Sequence, residues 1–244
     1  MRKMRISITV LALLVTSGCA STGNNGFWHE LGEHSYSSVK QKSVWMPLAA
    51  AAVFGATSAD HEVSEWAIEK QPIFGSTNGA SNWSDILSNG LVLSALVTSF
   101  MQREEGFEPL KTDLLALGSA YYFTAGMKKV ADRTRPDGSN RLSFPSLHAS
   151  SAFSAAQVTA RNISAYDTSH PRAIRTGLFA LASGAAWARV EAARHYPADV
   201  LAGAAIGNFF ASIGNAFIAD RENVAVSYVP TPDGGELRVQ WLFK

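Results

Sequence analysis

The sequence predicts an all-α domain closed by a small C-terminal β-hairpin. Three observations lead there. Apolar stretches long enough for helices follow one another from residue 46 to residue 219, broken by Gly, Asn and Pro. Those stretches are rich in Ala, Gly and Ser, which lets helices approach closely. After residue 220 the composition changes to β-branched residues with partial alternation.

Taken in order, the chain begins with Met1-Arg2-Lys3-Met4-Arg5, a basic stretch, followed by the short apolar run Ile6 to Val15. This is an export signal, too short and wrongly flanked for a stable span. Thr16-Ser17-Gly18 precede Cys19, the sole cysteine, and this ending resembles a bacterial lipobox with Thr16 where leucine is usual. The expected domains are a signal peptide over 1–19, a tether and N-terminal segment over 20–43, a helical domain over 44–220 and a hairpin over 221–244. With one cysteine, disulfides do not hold the exported fold together.

Ala20 to Gly26 is polar and suits a tether, whereas Phe27 to Lys42 is mixed and gives no clear element. The helical stretches are Met46–Thr57, Ser84–Met101, Leu110–Lys129, His148–Ala160, Ala173–Val190 and Ala198–Ala219. Ala198–Ala219 is long enough to span a bilayer, and Leu91–Met101 is strongly apolar but short. Mean hydropathy is only +0.02, and Asn208, Ser212 and Asn215 recur along one side of the longest stretch. Helices of an all-α core are therefore expected rather than spans, with peripheral bilayer contact left open. In the tail, Val224 to Val229 and Leu237 to Phe243 flank the turn residues Asp233-Gly234, a hairpin signal. Lys+Arg number 21 and Asp+Glu 20, so no basic excess marks a nucleic-acid partner.

Three clusters carry the chemistry. Lys128 to Pro136 contains K-x6-R-P, Ser143 to Ala149 reads SFPSLHA, and Arg189 to Asp199 contains R-x5-H-x3-D. A phosphate ester spreads negative charge over several oxygens, so its site needs several cations aimed at one point. Lys128, Arg135 and Arg189 supply them, two as bidentate guanidinium forks. Ser146 is a good N-cap for a helix through His148, whose free N–H groups would face an anion. His195 and Asp199 are four residues apart, near the helix start marked by Pro197. A carboxylate there would fix the imidazole tautomer and leave the other nitrogen free to attack phosphorus. His148 is then the general acid for the leaving alcohol and the base for water.

Together these clusters resemble the signature of the type 2 phosphatidic acid phosphatase superfamily: K-x6-R-P, P-S-G-H and S-R-x5-H-x3-D. The match runs from Lys128 to Asp199 and continues through Gly203. The resemblance implies a helical bundle of the kind shared by these phosphatases and the vanadium haloperoxidases. It implies that Lys128, Arg135, Ser146 and Arg189 bind phosphate, with the backbone N–H of Leu147 contributing. It further implies His148 as acid/base, His195 with Asp199 as the nucleophile pair, and no cofactor or metal. Leu147 replaces the usual glycine and narrows or greases the mouth of the site, and Ala188 replaces the usual serine. His29, His34, His61 and His170 lack ligand spacing and are expected to be surface or structural. Asp132 and Arg133 form a local pair or position Arg135, and Glu191 and Arg194 are expected to face solvent or each other.

The expected activity is hydrolysis of phosphate monoesters or pyrophosphates through a phosphohistidine, with lipid phosphates favoured and soluble organic phosphates open. The expected partners are such a substrate and a membrane, reached through lipid on Cys19 at the periplasmic face of the outer membrane. Two alternatives stand beside it: vanadate-dependent halide oxidation with His195 on vanadium, and an envelope lipoprotein with a relict site. The sequence leaves the oligomeric state and the physiological substrate open.

Overall fold

A computed structural model describes residues 24–102, 107–165, 170–222, 224–231 and 234–241, with residues 24, 25, 220–222 and both strands described by backbone alone. The leader and Cys19 lie outside the described residues. The elements are α1 (Asn24–Val39), α2 (Lys42–Gly55), α3 (Ala59–Lys70), α4 (Thr77–Met101), α5 (Glu108–Ala131), α6 (Leu147–Ala165), α7 (Pro171–Glu191), α8 (Pro197–Glu222), β1 (Val224–Thr231) and β2 (Gly234–Trp241). The all-α expectation holds. β1 and β2 pair antiparallel, from Val224 opposite Trp241 to Thr231 opposite Gly234. Helix α1 covers most of Phe27 to Lys42, where the mixed composition gave no clear element, and begins within the stretch read as tether, while α3 lies between two of the predicted helical stretches.

Local chemistry sets the helix ends. The Ser76 Oγ accepts the Gly79 N–H at 3.0 Å and caps α4. Pro109, Pro171 and Pro197 sit in first turns, where their missing N–H costs nothing. Asp132, at φ 47°, ends α5 in the left-handed region and swings the chain toward the loop that carries Arg133 and Arg135.

Helices α6 and α8 form the centre. α6 packs on α4, α5, α7 and α8, while α8 also meets α1, α2 and α5. Small residues make this possible: Ala95, Ala152, Ala155, Ala156, Ala182 and Ala211 form the buried cluster with Leu91 and Val158. The approach of α6 and α8 is closest at two glycines. A Cβ on Gly203 would lie 2.4 Å from the Ser146 carbonyl oxygen, and one on Gly207 2.2 Å from that of Ser150. That contact seats the N-terminus of α6 beside the N-terminus of α8, where the Ser146 N–H donates to the Asp199 carbonyl at 2.9 Å.

Burial corrects the expectation that both apolar helices are core helices. In α8, 56% of the most apolar window is buried, as befits a central helix, but in α4 only 28% is. Ile86, Leu93, Val97 and Phe100 of α4 stand at least 49% exposed, as does Tyr122 of α5 at 63%. Such a continuous apolar face is foreign to water-exposed monomers. A polar clasp holds the far ends of these helices. Arg161 and the Ser99 hydroxyl both donate to the buried Asp113 carboxylate, and Asn162 joins them.

Candidate functional site

The three sequence clusters meet where the N-termini of α6 and α8 and the C-termini of α5 and α7 come together. Lys128 is in the last turn of α5, His148 in the first turn of α6, Arg189 in the last turn of α7 and Asp199 in the first turn of α8. Arg135 and Ser146 lie on the α5–α6 loop, and His195 lies on the α7–α8 loop. His195 thus precedes the helix instead of sharing a helical face with Asp199, and Ala193, at φ 56°, makes the turn that presents it.

His195 is 1% exposed and Asp199 fully buried. The His195 Nδ1 lies 3.7 Å from Asp199 Oδ2, too far for a hydrogen bond, and that nitrogen has no other partner among the described residues. Asp199 is instead engaged by others. Its Oδ2 accepts from the Ser143 hydroxyl at 2.5 Å and the Tyr196 N–H at 2.9 Å, and its Oδ1 from Arg133 at 2.7 Å. A small ring movement closes the remaining gap, as is common before substrate binds. Burial, with the Lys128 and Arg189 charges in support, holds the His195 pKa down to about 3, against the opposing pull of Asp199. The ring is therefore neutral and its Nε2 lone pair available.

Lys128, Arg135 and Arg189 lie near enough for their charges to act on one another. The Nε atoms of Arg135 and Arg189 are buried and have no hydrogen-bond partner among the described residues. Donors so placed, in a 6% exposed Arg189 above all, are costly without an acceptor. Lys128 donates to the Leu142 carbonyl at 2.7 Å, which ties it to the loop. Ser146 caps α6 only loosely, its Oγ standing 3.4 Å from the Ala149 N–H. Leu147 flanks His148 on the rim.

Several residues were missed in the sequence. Arg133 neither pairs with Asp132 nor reaches Arg135. It forks between Asp199 and the 1% exposed Asp60 of α3, 2.6 Å away, and lies over the Tyr196 ring at 4.2 Å. Asp132 pairs with Arg141. Asp60 also accepts the Ala198 N–H at 2.7 Å, so one carboxylate fixes both the arginine and the start of α8. Glu191 does not face solvent: it is fully buried and accepts from Trp187, Ile73 and Phe74. Arg194 pairs with Asp137 at 2.8 Å. For Arg133, its place inside K-x6-R-P was the only signal available.

Asp85 of α4 was missed as well, and nothing in the sequence marks it. Its Oδ1 lies 2.8 Å from His148 Nε2 and 3.9 Å from Arg189. Burial lowers the His148 pKa, the Arg189 charge lowers it further, and Asp85 opposes both. If His148 is the acid catalyst that the sequence leads one to expect, it must be protonated to act, and activity then falls as pH rises through that pKa. Asp85→Asn removes the opposing anion, and the alkaline limb of kcat/KM is expected to move to lower pH. An unmoved limb in a pH–rate series would show that Asp85 does not tune His148.

Residues 112–222 match the family described as PAP2 superfamily. Among solved structures, the chain resembles a transmembrane PAP2 type phosphatidylglycerolphosphate phosphatase from Bacillus subtilis, at 20% identity and a TM-score of 0.61. That likeness covers 73% of this chain and 97% of the other. Aquifex aeolicus LpxE is also similar, with 22% identity, a TM-score of 0.49, and coverage of 63% and 93%. No curated protein matches the chain.

Proposed function

We propose that this chain, whose residues 112–222 match the PAP2 superfamily, is a phosphatase acting on phosphate monoesters or pyrophosphates, lipid phosphates foremost, through a phosphohistidine. One observation carries this reading. Two histidines and three cations from three helix ends and two loops converge, and two buried guanidinium Nε atoms there have no partner among the described residues. A tetrahedral anion satisfies that arrangement, and a surface charge cluster has no need of it.

The chemistry then runs in two steps. His195 Nε2 attacks phosphorus, the P–O bond to the leaving group breaks, and protonated His148 gives that oxygen its proton. Neutral His148 next takes a proton from water, whose oxygen attacks phosphorus. The P–N bond breaks, and phosphate leaves with His195 restored. Arg135 and Arg189 hold the oxygens whose charge grows in each transition state, with Lys128, Ser146 and the Leu147 N–H around them. Asp199 stabilises the imidazole as it becomes cationic.

The exposed face of α4 supports a lipid substrate and a protein seated in a bilayer. Export, lipid on Cys19 and residence at the periplasmic face of the outer membrane belong to the same proposal. Purified protein in detergent or vesicles is expected to release inorganic phosphate from phosphatidate and from soluble esters without added metal. Peroxide-dependent halide oxidation after vanadate loading, with no phosphate release, would replace this reading by the haloperoxidase one. Neither activity in folded protein would leave the relict-site reading.

A further inference from the structure

Glu191, the last residue of α7, carries a fully buried carboxylate that the phosphate chemistry above does not use. Its Oε1 accepts from the Trp187 indole at 2.6 Å and the Ile73 N–H at 3.2 Å, and its Oε2 accepts the Phe74 N–H at 3.0 Å. The main chain of the same residue holds the same turn, because the Glu191 carbonyl accepts from Gln71 Nε2 at 3.0 Å. Gln71 ends α3 in the left-handed region, at φ 45°, and its amide also donates to the Ile68 carbonyl at 2.8 Å. One residue thus grips the turn between α3 and α4 by both side chain and backbone. All three donors to the carboxylate are uncharged, and no cation pairs with it among the described residues. A buried anion of that kind is costly, and a staple alone could be built from apolar side chains. What the carboxylate adds is direction: its two oxygens take successive main-chain N–H groups, which fixes both the position and the tilt of the turn.

The turn leads straight into α4. Asp85 lies about 12 Å along the helix axis from Thr77 and meets His148 and Arg189 there. Its side chain is 52% exposed, so neighbouring side chains do not hold its aim and the path of the α4 backbone must. Ser84 pins that backbone once, its Oγ donating to the Ala185 carbonyl of α7 at 3.1 Å. A helix held at one point can pivot on its neighbour, and Leu87 lies over Gly184, which has no side chain to oppose that motion. Glu191 supplies a second point, about 9 Å farther along α7 than Ala185. We propose that Glu191 is a positioning residue of this site: it fixes the α3–α4 turn on the end of α7 and thereby holds Asp85 within reach of His148 and Arg189. A shift of about 1 Å in α4 is enough to break the 2.8 Å Asp85–His148 contact, since such a bond fails beyond about 3.5 Å. The inference goes beyond the phosphatase reading, and only its kinetic consequence rests on that reading.

The charged groups that reach His148 are Asp85 from α4, Arg189 from α7 and Lys128 from α5, and of these Asp85 alone raises its pKa. Losing the Asp85 contact therefore lowers the His148 midpoint. The experiment is an NMR titration of that imidazole in the full-length protein in detergent, with His148→Gln to assign the signal. Glu191→Gln keeps the volume, but its Nε2 cannot accept an N–H as Oε2 does. That variant is expected to lower the His148 midpoint by about half a pH unit or more, and kcat/KM above the alkaline limb by about threefold. Combined with Asp85→Asn, Glu191→Gln is expected to add nothing to the shift that Asp85→Asn produces alone. Gln71→Gly suits the left-handed backbone and cuts the second tie, so it is expected to act in the same direction and also through Asp85. It decides the matter by itself if Glu191→Gln does not fold. A wild-type midpoint in the folded variants, or a shift that persists beside Asp85→Asn, makes Glu191 a structural staple and overturns the proposal. The titration needs no turnover: wild-type protein inactive on every ester refutes the phosphatase reading and leaves this result standing.

Discussion

His195→Ala is expected to lower phosphate release by at least about 10³-fold on every ester, because no other group can form the covalent intermediate. The neighbouring groups sharpen the expectation. His148 is engaged by Asp85, and Asp199 is a carboxylate already held by three donors, so neither can substitute. His195 is buried, and its removal leaves a cavity, so His195→Gln serves as a companion of closer volume. Both variants should be inactive while retaining their helical circular dichroism. Trapping supplies a second readout: acid-labile phosphate on the wild-type chain and none on either variant. Since the ring stays neutral down to about pH 3, His195 protonation should not limit kcat/KM between pH 4 and 8. A folded His195→Ala protein that keeps a tenth of the wild-type rate would remove the nucleophile assignment.

Arg133→Ala is expected to have the largest effect on stability. Its guanidinium stands between two carboxylates, Asp60 and Asp199, whose side chains are 2% and 0% exposed. Taking the arginine away leaves Asp60 buried without its ion-pair partner and Asp199 with only the more distant Lys128 and Arg135 charges, and breaking such a pair costs about 3–5 kcal/mol. Arg133 is itself 27% exposed, and water entering from that side places the expected loss near about 3 kcal/mol. Denaturant unfolding in a matched detergent measures it. Arg133→Lys separates positioning from stability, because one ammonium cannot fork to two carboxylates as a planar guanidinium does. Asp199 should then lose its fixed orientation toward His195, lowering kcat while KM for a short ester changes little. An unfolding midpoint within error of wild type for Arg133→Ala would show that the bracket contributes nothing.

Much of the site was legible because its chemistry is written in short segments. Lys128 and Arg135 share one segment, Ser146 and His148 a second, and Arg189, His195 and Asp199 a third, each within reach of its own helix end. The helices of the second half were legible for a similar reason: Pro109, Pro171 and Pro197 start them, and their apolar stretches are long. Asp85, Asp60 and Glu191 were illegible. Each is a single acid on a helix, indistinguishable in the sequence from a solvated one. Asp60 meets Arg133 across 73 residues, and Glu191 meets Phe74 across 117.

The sequence by itself determined which side chains gather at the candidate site and that helices would carry them, since both follow from residue type and local spacing. Only the tertiary structure decided which acids are buried, which histidine Asp85 serves, and that α4 shows most of its apolar face outward. A buried charge takes its partner from whatever element packs beside it, however distant in the chain. An apolar helical face, likewise, has the same period whether protein or lipid covers it, so its surroundings are fixed only when its neighbours are in place.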